Sequence, residues 1–268
     1  MQKVVRFIKI TLAFTRNRIQ VSLAYIWGSL AWIVNGSIYP LVNMSIWIIV
    51  GKFGNTNMSV SQTMSYFFYF VIFERITQTW SLDHLGDDIK SGRISNSFLR
   101  PYHHIQEIVA VDLGDKVSRL LALIPYVVLL MAIFKNQIIF ISPRLFILLI
   151  PASIFGYVAR LLLDSILGTI TYWTGDIDGI RATYWTIGGI ATGALIPFFL
   201  FPTSVKIILN LLPFRYFISF PIEIILGQLN TIQILQGFII LLMWVITLLL
   251  SFILVDRISS KQYAAHGG

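Results

Sequence analysis

The chain is 268 residues long, 56% hydrophobic and only 12% charged, with a mean hydropathy of +0.78 and a formal net charge of +8. So little charge excludes an ordinary soluble domain, whose surface must be wetted, and makes an integral membrane protein the first reading. The basic excess does not mark a nucleic-acid binder. The cations sit at the ends of apolar runs, form no patch with stacking aromatics, and read as orientation signals and anchors for membrane lipid headgroups. There is no cysteine, which excludes disulfides and cysteine-based metal or redox sites and leaves the compartment open.

In chain order, residues 1–20 come first. Arg6, Lys9 and Arg16 cluster on one side at helical spacing, while Val4, Phe7, Ile8, Leu12 and Phe14 lie mainly elsewhere. This predicts a helix lying in the membrane interface, with a plain extension of the first span as the alternative. Arg18 is the misfit, because it falls on the apolar side. The basic N-terminus lacks a compact apolar core followed by a small-residue cleavage site, so it reads as retained and not as a signal peptide.

Six runs approach the roughly 20 apolar residues a bilayer crossing needs. They are 24–50, 58–80, 105–134, 145–173, 184–201 and 232–255, with boundaries good to about 2–4 residues. In the third, the solid apolar run is only 120–134. Asp112, Asp115, Lys116 and Arg119 precede it, so this helix is expected to start in water or headgroups. With the N-terminus placed in the cytoplasm, the inside segments hold Lys3, Arg6, Lys9, Arg16, Arg18, Lys90, Arg93, Arg100, Arg181, Arg257 and Lys261. The outside segments hold only Lys52, Lys135, Arg144, Lys206 and Arg215. That bias puts both termini inside.

Between spans two and three lies a polar island, residues 81–104. Leu82, Leu85 and Ile89 recur at helical spacing, with Asp83, Asp87, Asp88 and Lys90 on other faces. Ser81 is a candidate N-cap and Gly92 a candidate stop, which predicts a short amphipathic helix; Pro101 then restarts the chain. Such a helix packs on the ends of its own bundle or inserts into a partner's groove, and the length of the polar stretch favours the partner. Residues 202–229 are apolar but punctuated by Pro202, Pro213 and Pro221 and closed by Gly227. The pieces 203–212 and 214–226 are each too short to cross, so a helical hairpin dipping in from the outer face is expected.

At this point the chain resembles a known family. "IKSGRISNSFLRP" (89–101) and "LLPFRYFISFPIEIILGQ" (211–228) are similar to two signatures of the six-span ABC-2 type transporter permeases, in the right order and at the right ends of spans. The resemblance implies an all-α integral membrane protein with six transmembrane helices, an N-terminal interfacial elbow helix, a cytoplasmic coupling helix and an external re-entrant hairpin. It implies the permease half of a bacterial inner-membrane exporter, both termini cytoplasmic. Alternating access would move a drug, lipid or peptide-like amphipathic substrate. Its partners would be two ATPase subunits and a second permease half, identical or related. Carried over, Leu82, Asp83, Leu85, Asp87, Asp88, Ile89, Lys90 and Arg93 would meet the ATPase. The apolar ridge would seat the helix, and Asp87, Asp88 and Arg93 would set its register. The elbow would also touch the ATPase. Pro213, Arg215, Tyr216, Pro221 and Glu223 would belong to the external gate, and spans two and five would line the path. No G-x-x-x-x-G-K-[ST] phosphate loop occurs in the chain, so ATP and Mg would sit in the partner.

Charges at membrane depth need partners. Arg160 and Asp164 stand four apart and are expected to pair within one helix, with a substrate site as the less favoured reading. Glu74 and Arg75 are adjacent and so face different ways, toward a pairing subunit or an inner vestibule. Arg215 and Glu223 are eight apart with Pro221 between them, so no direct pair is expected; a gate contact and a headgroup contact stand equal. Tyr66, Phe67, Phe68, Tyr69, Phe70 and Phe73 in span two, and Tyr184, Trp185, Phe198 and Phe199 in span five, suit a substrate lining or a lipid-facing surface, and the sequence does not separate these. Gly189 and Gly193 form a G-x-x-x-G suited to close helix packing. His84, His103, His104 and His266 appear scattered, without a metal-site arrangement, and Asp176 and Asp178 read as solvated loop charge. The competing class is an ATP-independent ion-coupled carrier or channel. It calls for repeated mid-membrane charges or inverted repeats, where the chain offers Arg160 and Asp164 alone. An integral membrane enzyme would need clustered His, Asp or Glu at one face.

Overall fold

The computed structural model describes residues 2–53, 59–100, 102–140 and 142–262. Met58, Pro101 and His266, used above, lie outside them. The described residues form helices joined by turns, with no strand: α1 (Gln2–Ala24), α2 (Ile26–Phe53), α3 (Val60–Thr77), α4 (Ser81–Lys90), α5 (Ile94–Phe98), α6 (His104–Phe134), α7 (Pro143–Thr169), α8 (Thr171–Thr174), α9 (Asp178–Ala191), α10 (Thr203–Leu211), α11 (Phe214–Phe217), α12 (Ser219–Ile225) and α13 (Thr231–Gln262). Four stretches are long and apolar enough to cross a membrane: Ile26–Phe53, His104–Phe134, Leu145–Thr174 and Thr231–Ser259.

The other two expected spans take different forms. The second is α3, which has 18 residues and is buried on nearly every side. It starts at Ser59, whose side chain and that of Gln62 cap each other's backbone N–H. It stops at Thr77, beyond which Lys116 Nζ reaches over from α6 and donates to the carbonyls of Ile76 and Gln78 at 2.9 and 2.8 Å. α3 is therefore the centre of the bundle, and its aromatics pack on neighbouring helices instead of on lipid. The fifth expected span is broken. α9 starts early, at Asp178, and ends at Ala191 after 14 residues, about 21 Å of helix. Gly193 at φ +86° and Pro197 carry the chain through turns into a short 3-10 segment, Phe198–Leu200. Tyr66 donates its hydroxyl to Gly193 O at 3.1 Å, and Ser219 Oγ donates to Thr192 O at 2.7 Å, so this turn is bound to the core.

α1 is separate from α2, with a turn at Tyr25, and runs alongside α6. Gln106 Nε2 donates to Phe7 O at 2.7 Å and to Thr11 Oγ1 at 2.9 Å, and Thr15 donates to Ala110 O. Arg18 lies on the apolar side because it docks there: its guanidinium holds Asp115 by two hydrogen bonds, 2.6 and 2.9 Å. Gly114 makes the approach possible, since a Cβ there would lie 2.6 Å from Arg18 Cβ.

The expected two-piece hairpin has three helical pieces, because the chain breaks again at Ile218 between α11 and α12. Pro221 does not interrupt α12. It sits in the first turn, where the backbone N–H has no helical acceptor to lose. Tyr216, Phe217, Ile218, Phe220 and Ile222 are buried, and Gly156 lets α7 come close to Tyr216 O. This segment and α3 make the main core, with Phe220 set edge-on to Phe238 of α13.

Candidate functional site

Two neighbouring features concentrate the chemistry. The first is a cavity of about 400 Å³ between α2, α3 and α9. Trp32, Gly36 and Tyr39 come from α2, Phe70, Glu74 and Arg75 from α3, Arg160 from α7, and Tyr184, Trp185, Gly188 and Gly189 from α9. Trp80 and Gln78 close the end where α3 passes into α4. Among the path residues expected from sequence, Phe70, Glu74, Tyr184 and Trp185 meet here. The others do not line it. Tyr66 and Tyr69 spend their hydroxyls on Gly193 O and Ile139 O, Phe73 is core, Phe199 packs edge-on to Tyr66, and Phe198 lies under Arg215. Gly188 and Gly189 have open space where a side chain would be, so the G-x-x-x-G packs no helix of this chain at Gly189.

The charges pair differently from the sequence expectation. Arg160 does not pair with Asp164 along α7. It grips Glu74 of α3 with both terminal nitrogens, at 2.9 and 3.0 Å, a fork-on-carboxylate geometry that one turn of helix does not offer. Asp164 accepts instead from Thr79, at the start of the island. Arg215 and Glu223 do pair, with Asn210 as a second acceptor for Arg215, and both are buried inside the chain, facing neither headgroups nor a gate surface. Arg75 stacks 4.0 Å over Trp32 and donates to Gln78 Oε1 at 3.0 Å.

The second feature is the island. α4 forms over Ser81–Lys90 as the apolar spacing demands, although Trp80 holds the cap position and Ser81 is already helical. Gly92 ends it at φ +75°. The ridge does not wait for a partner's groove. Leu82, Leu85 and Ile89 are buried against α6, α7 and α8, with Ile94, Ile105, Ile108 and Tyr172 around them. Gly168 of α7 lies under Leu85, and Gly86 leaves room for Ile177. This corrects the expectation that the ridge seats the helix elsewhere. Glycines such as Gly86 and Gly168 are the sequence signal for such close contact.

On the opposite face, charge ties α4 to the start of α9. Arg181 reaches Asp83 at 2.6 Å, Asp87 at 3.0 Å and Asp178 at 2.7 Å. Lys90 donates to Asp176 at 2.6 Å and Asp178 at 2.7 Å, so neither aspartate is a free loop charge. Hydrogen bonds to Asp176 and Asp178 hold the Lys90 ammonium above its ordinary pKa, and Lys90 holds the Asp176 carboxyl below its own. Asp88 pairs with Arg93 at 2.8 Å. Among the described residues the island leaves exposed Asp87, Lys90, Ser91, Arg93, Asn96, Leu99, Arg100 and His103, with Leu99 88% exposed.

Two residues expected to be dispersed converge on a third that the sequence reading did not single out. His103 and His104 place Nε2 atoms 3.1 and 3.3 Å from the two oxygens of Asp256, and one ligand atom from each residue lies within 4.8 Å of the others. The scattered reading of these two histidines is therefore corrected: the group clasps the start of α6 to the end of α13.

A bundle of long apolar helices around a buried, charge-paired centre, with a polar helical island at one end, defines a multi-pass membrane protein. Residues 44–267 match the ABC-2 family transporter protein profile, and the chain belongs to that family, whose members are membrane subunits of ABC transporters working with an ATPase partner. Comparison with curated proteins returns no match.

Proposed function

We propose that this permease subunit exports an amphipathic or hydrophobic substrate through the cavity between α2, α3 and α9, by alternating access driven from the island. The observation that carries this reading is Arg181. It sits on α9 one turn before Tyr184 and Trp185 in the cavity wall, and its guanidinium joins two carboxylates of α4. An ATPase can shift a membrane helix only by contacting its two states differently. A helix tied by ion pairs to the cavity wall transmits such a shift directly.

In this reading α3, and α9 with the turns through Phe201, complete six spans with α2, α6, α7 and α13. α1 is the interfacial elbow and residues 202–229 close the outer side. Both termini are cytoplasmic in a bacterial inner membrane. One ATPase subunit docks on the rim of the island, through Asp87, Asp88, Lys90, Arg93 and Leu99, and a second permease half with its own ATPase subunit completes the path. The experiment is co-expression with any ATPase and sister permease found in the neighbouring reading frames, reconstitution, and a compound screen for stimulated ATP hydrolysis. Stimulation that Arg181→Ala removes supports the reading. Active transport by the chain alone, without ATP, overturns it in favour of an ion-coupled carrier.

A further inference from the structure

The cavity wall holds a buried cation that makes no ion pair among the described residues. Arg75 is 5% exposed. Its Nη1 is spent on Gln78 Oε1, its plane lies on Trp32, and its Nε is buried without a hydrogen-bond partner. Nη2 makes no hydrogen bond among the described residues. Glu74, the one carboxylate in the cavity lining, gives both oxygens to Arg160. Two guanidinium groups and a single carboxylate line the space, with Asp164 behind the lining beside Arg160 and Tyr184, so Arg75 is the lining cation that no carboxylate contacts. Gly36 makes room for the guanidinium, since a Cβ there would come within 2.1 Å of Arg75 Nη2. A buried guanidinium with no carboxylate in contact is a costly state, so its retention beside an aromatic cavity points to a counter-charge that arrives with the occupant.

We propose that this cavity binds the acidic head of an amphiphile. A carboxylate, phosphate or sulfonate takes the hydrogen bond from Arg75 Nη2, and the apolar body lies against Trp32, Phe70 and Trp185. The inference rests on reading the cavity as the substrate path and adds the class of substrate. The same chemistry is offered by an anionic bilayer lipid and by a single-chain organic acid.

The test uses the full chain in phosphatidylcholine nanodiscs and two matched probes, bromododecanoate and bromododecanol, whose bromine quenches tryptophan on contact. The acid is expected to reach half-quenching at about a tenfold lower concentration than the alcohol, the scale of one charge-assisted hydrogen bond. Arg75→Met should abolish that difference, and Arg75→Lys should keep most of it. Equal quenching by acid and alcohol in the parent chain, or an acid preference that survives in Arg75→Met, overturns the proposal. If Arg75→Met melts early, the parent comparison alone decides. Adding phosphatidylglycerol separates the sources: competition with the acid identifies a bilayer lipid, and its absence identifies a single-chain anion. The same preparations are scored for association with the ATPase subunit. Retained association without acid preference removes only the substrate class; lost association in the parent chain removes the ATP-driven reading of the island beneath it.

Discussion

Arg160 and Glu74 face each other across the contact of α7 with α3, with both carboxylate oxygens engaged at 2.9 and 3.0 Å. Both side chains are largely buried. Removing one member leaves the other as a lone charge, at a cost of about 3–5 kcal/mol for a buried pair, whereas replacing both with apolar residues of similar size is far milder. Arg160→Met is therefore expected to lower the melting temperature and yield sharply, and Arg160→Met with Glu74→Leu to recover most of both. Equal losses in the single and double variants, read by size-exclusion chromatography and thermal melting, would remove the pair from the stability account.

Leu85 and Leu99 sit about four helical turns apart in sequence and have opposite roles. Leu85 is fully buried beneath α7, while Leu99 is 88% exposed. Leu85→Asp buries a charge in an apolar cluster and should prevent stable insertion. Leu99→Asp should leave melting unchanged and weaken pull-down of the ATPase subunit. A folded Leu85→Asp protein, or undiminished pull-down by Leu99→Asp, contradicts the placement of the docking rim.

Arg181 joins α9 to the island through Asp83 and Asp87 and is braced within α9 by Asp178. These are partly exposed pairs, each worth about 1 kcal/mol or less, so Arg181→Ala should melt within a few degrees of the parent. Its effect should appear in transmission: the ATPase still binds, but substrate no longer changes its hydrolysis rate. Wild-type stimulation in the reconstituted variant would exclude this route.

The Lys90 tie has a definite pH sign. Lys90 holds the Asp176 carboxyl below its ordinary value, and a carboxylate lowered in the folded state contributes above the unfolded pKa and stops contributing as pH falls through the folded one. Amide exchange across 174–178 should stay slow at about pH 4, the ordinary aspartate range, and quicken only below it. In Lys90→Met the quickening should begin at higher pH. Coincident profiles in the two proteins would show that the tie is not formed in solution.

Much of the scaffold was readable from residue order. Runs such as 232–255 exceed the bilayer thickness with hardly a charge, and Leu82, Leu85 and Ile89 can form one ridge only on a helix. What escaped was tertiary choice. Arg160 had Asp164 at helical spacing, yet a two-pronged partner on another helix prevailed. Pro221 seemed to separate Arg215 from Glu223, but its place in a first turn removes the obstacle. The ridge of α4 could have faced inward or outward, and only the bare backbones of Gly86 and Gly168 favoured inward. Arg18 was the most informative misfit, since its wrong-sided position in α1 is where Asp115 stands.

The manner in which α9 is held has a mechanical consequence. One tip is fastened by Tyr66 and Ser219 at the Thr192–Gly193 turn, the other by Arg181, and the backs of Gly188 and Gly189 are unsupported. A rod fixed in this way pivots as a lever about its glycine end. Under the proposed function, a small displacement at the Arg181 tip is expected to swing Trp185 and change the width of the chamber. Work done at the rim of the molecule would then reach the chamber as a change in its bore.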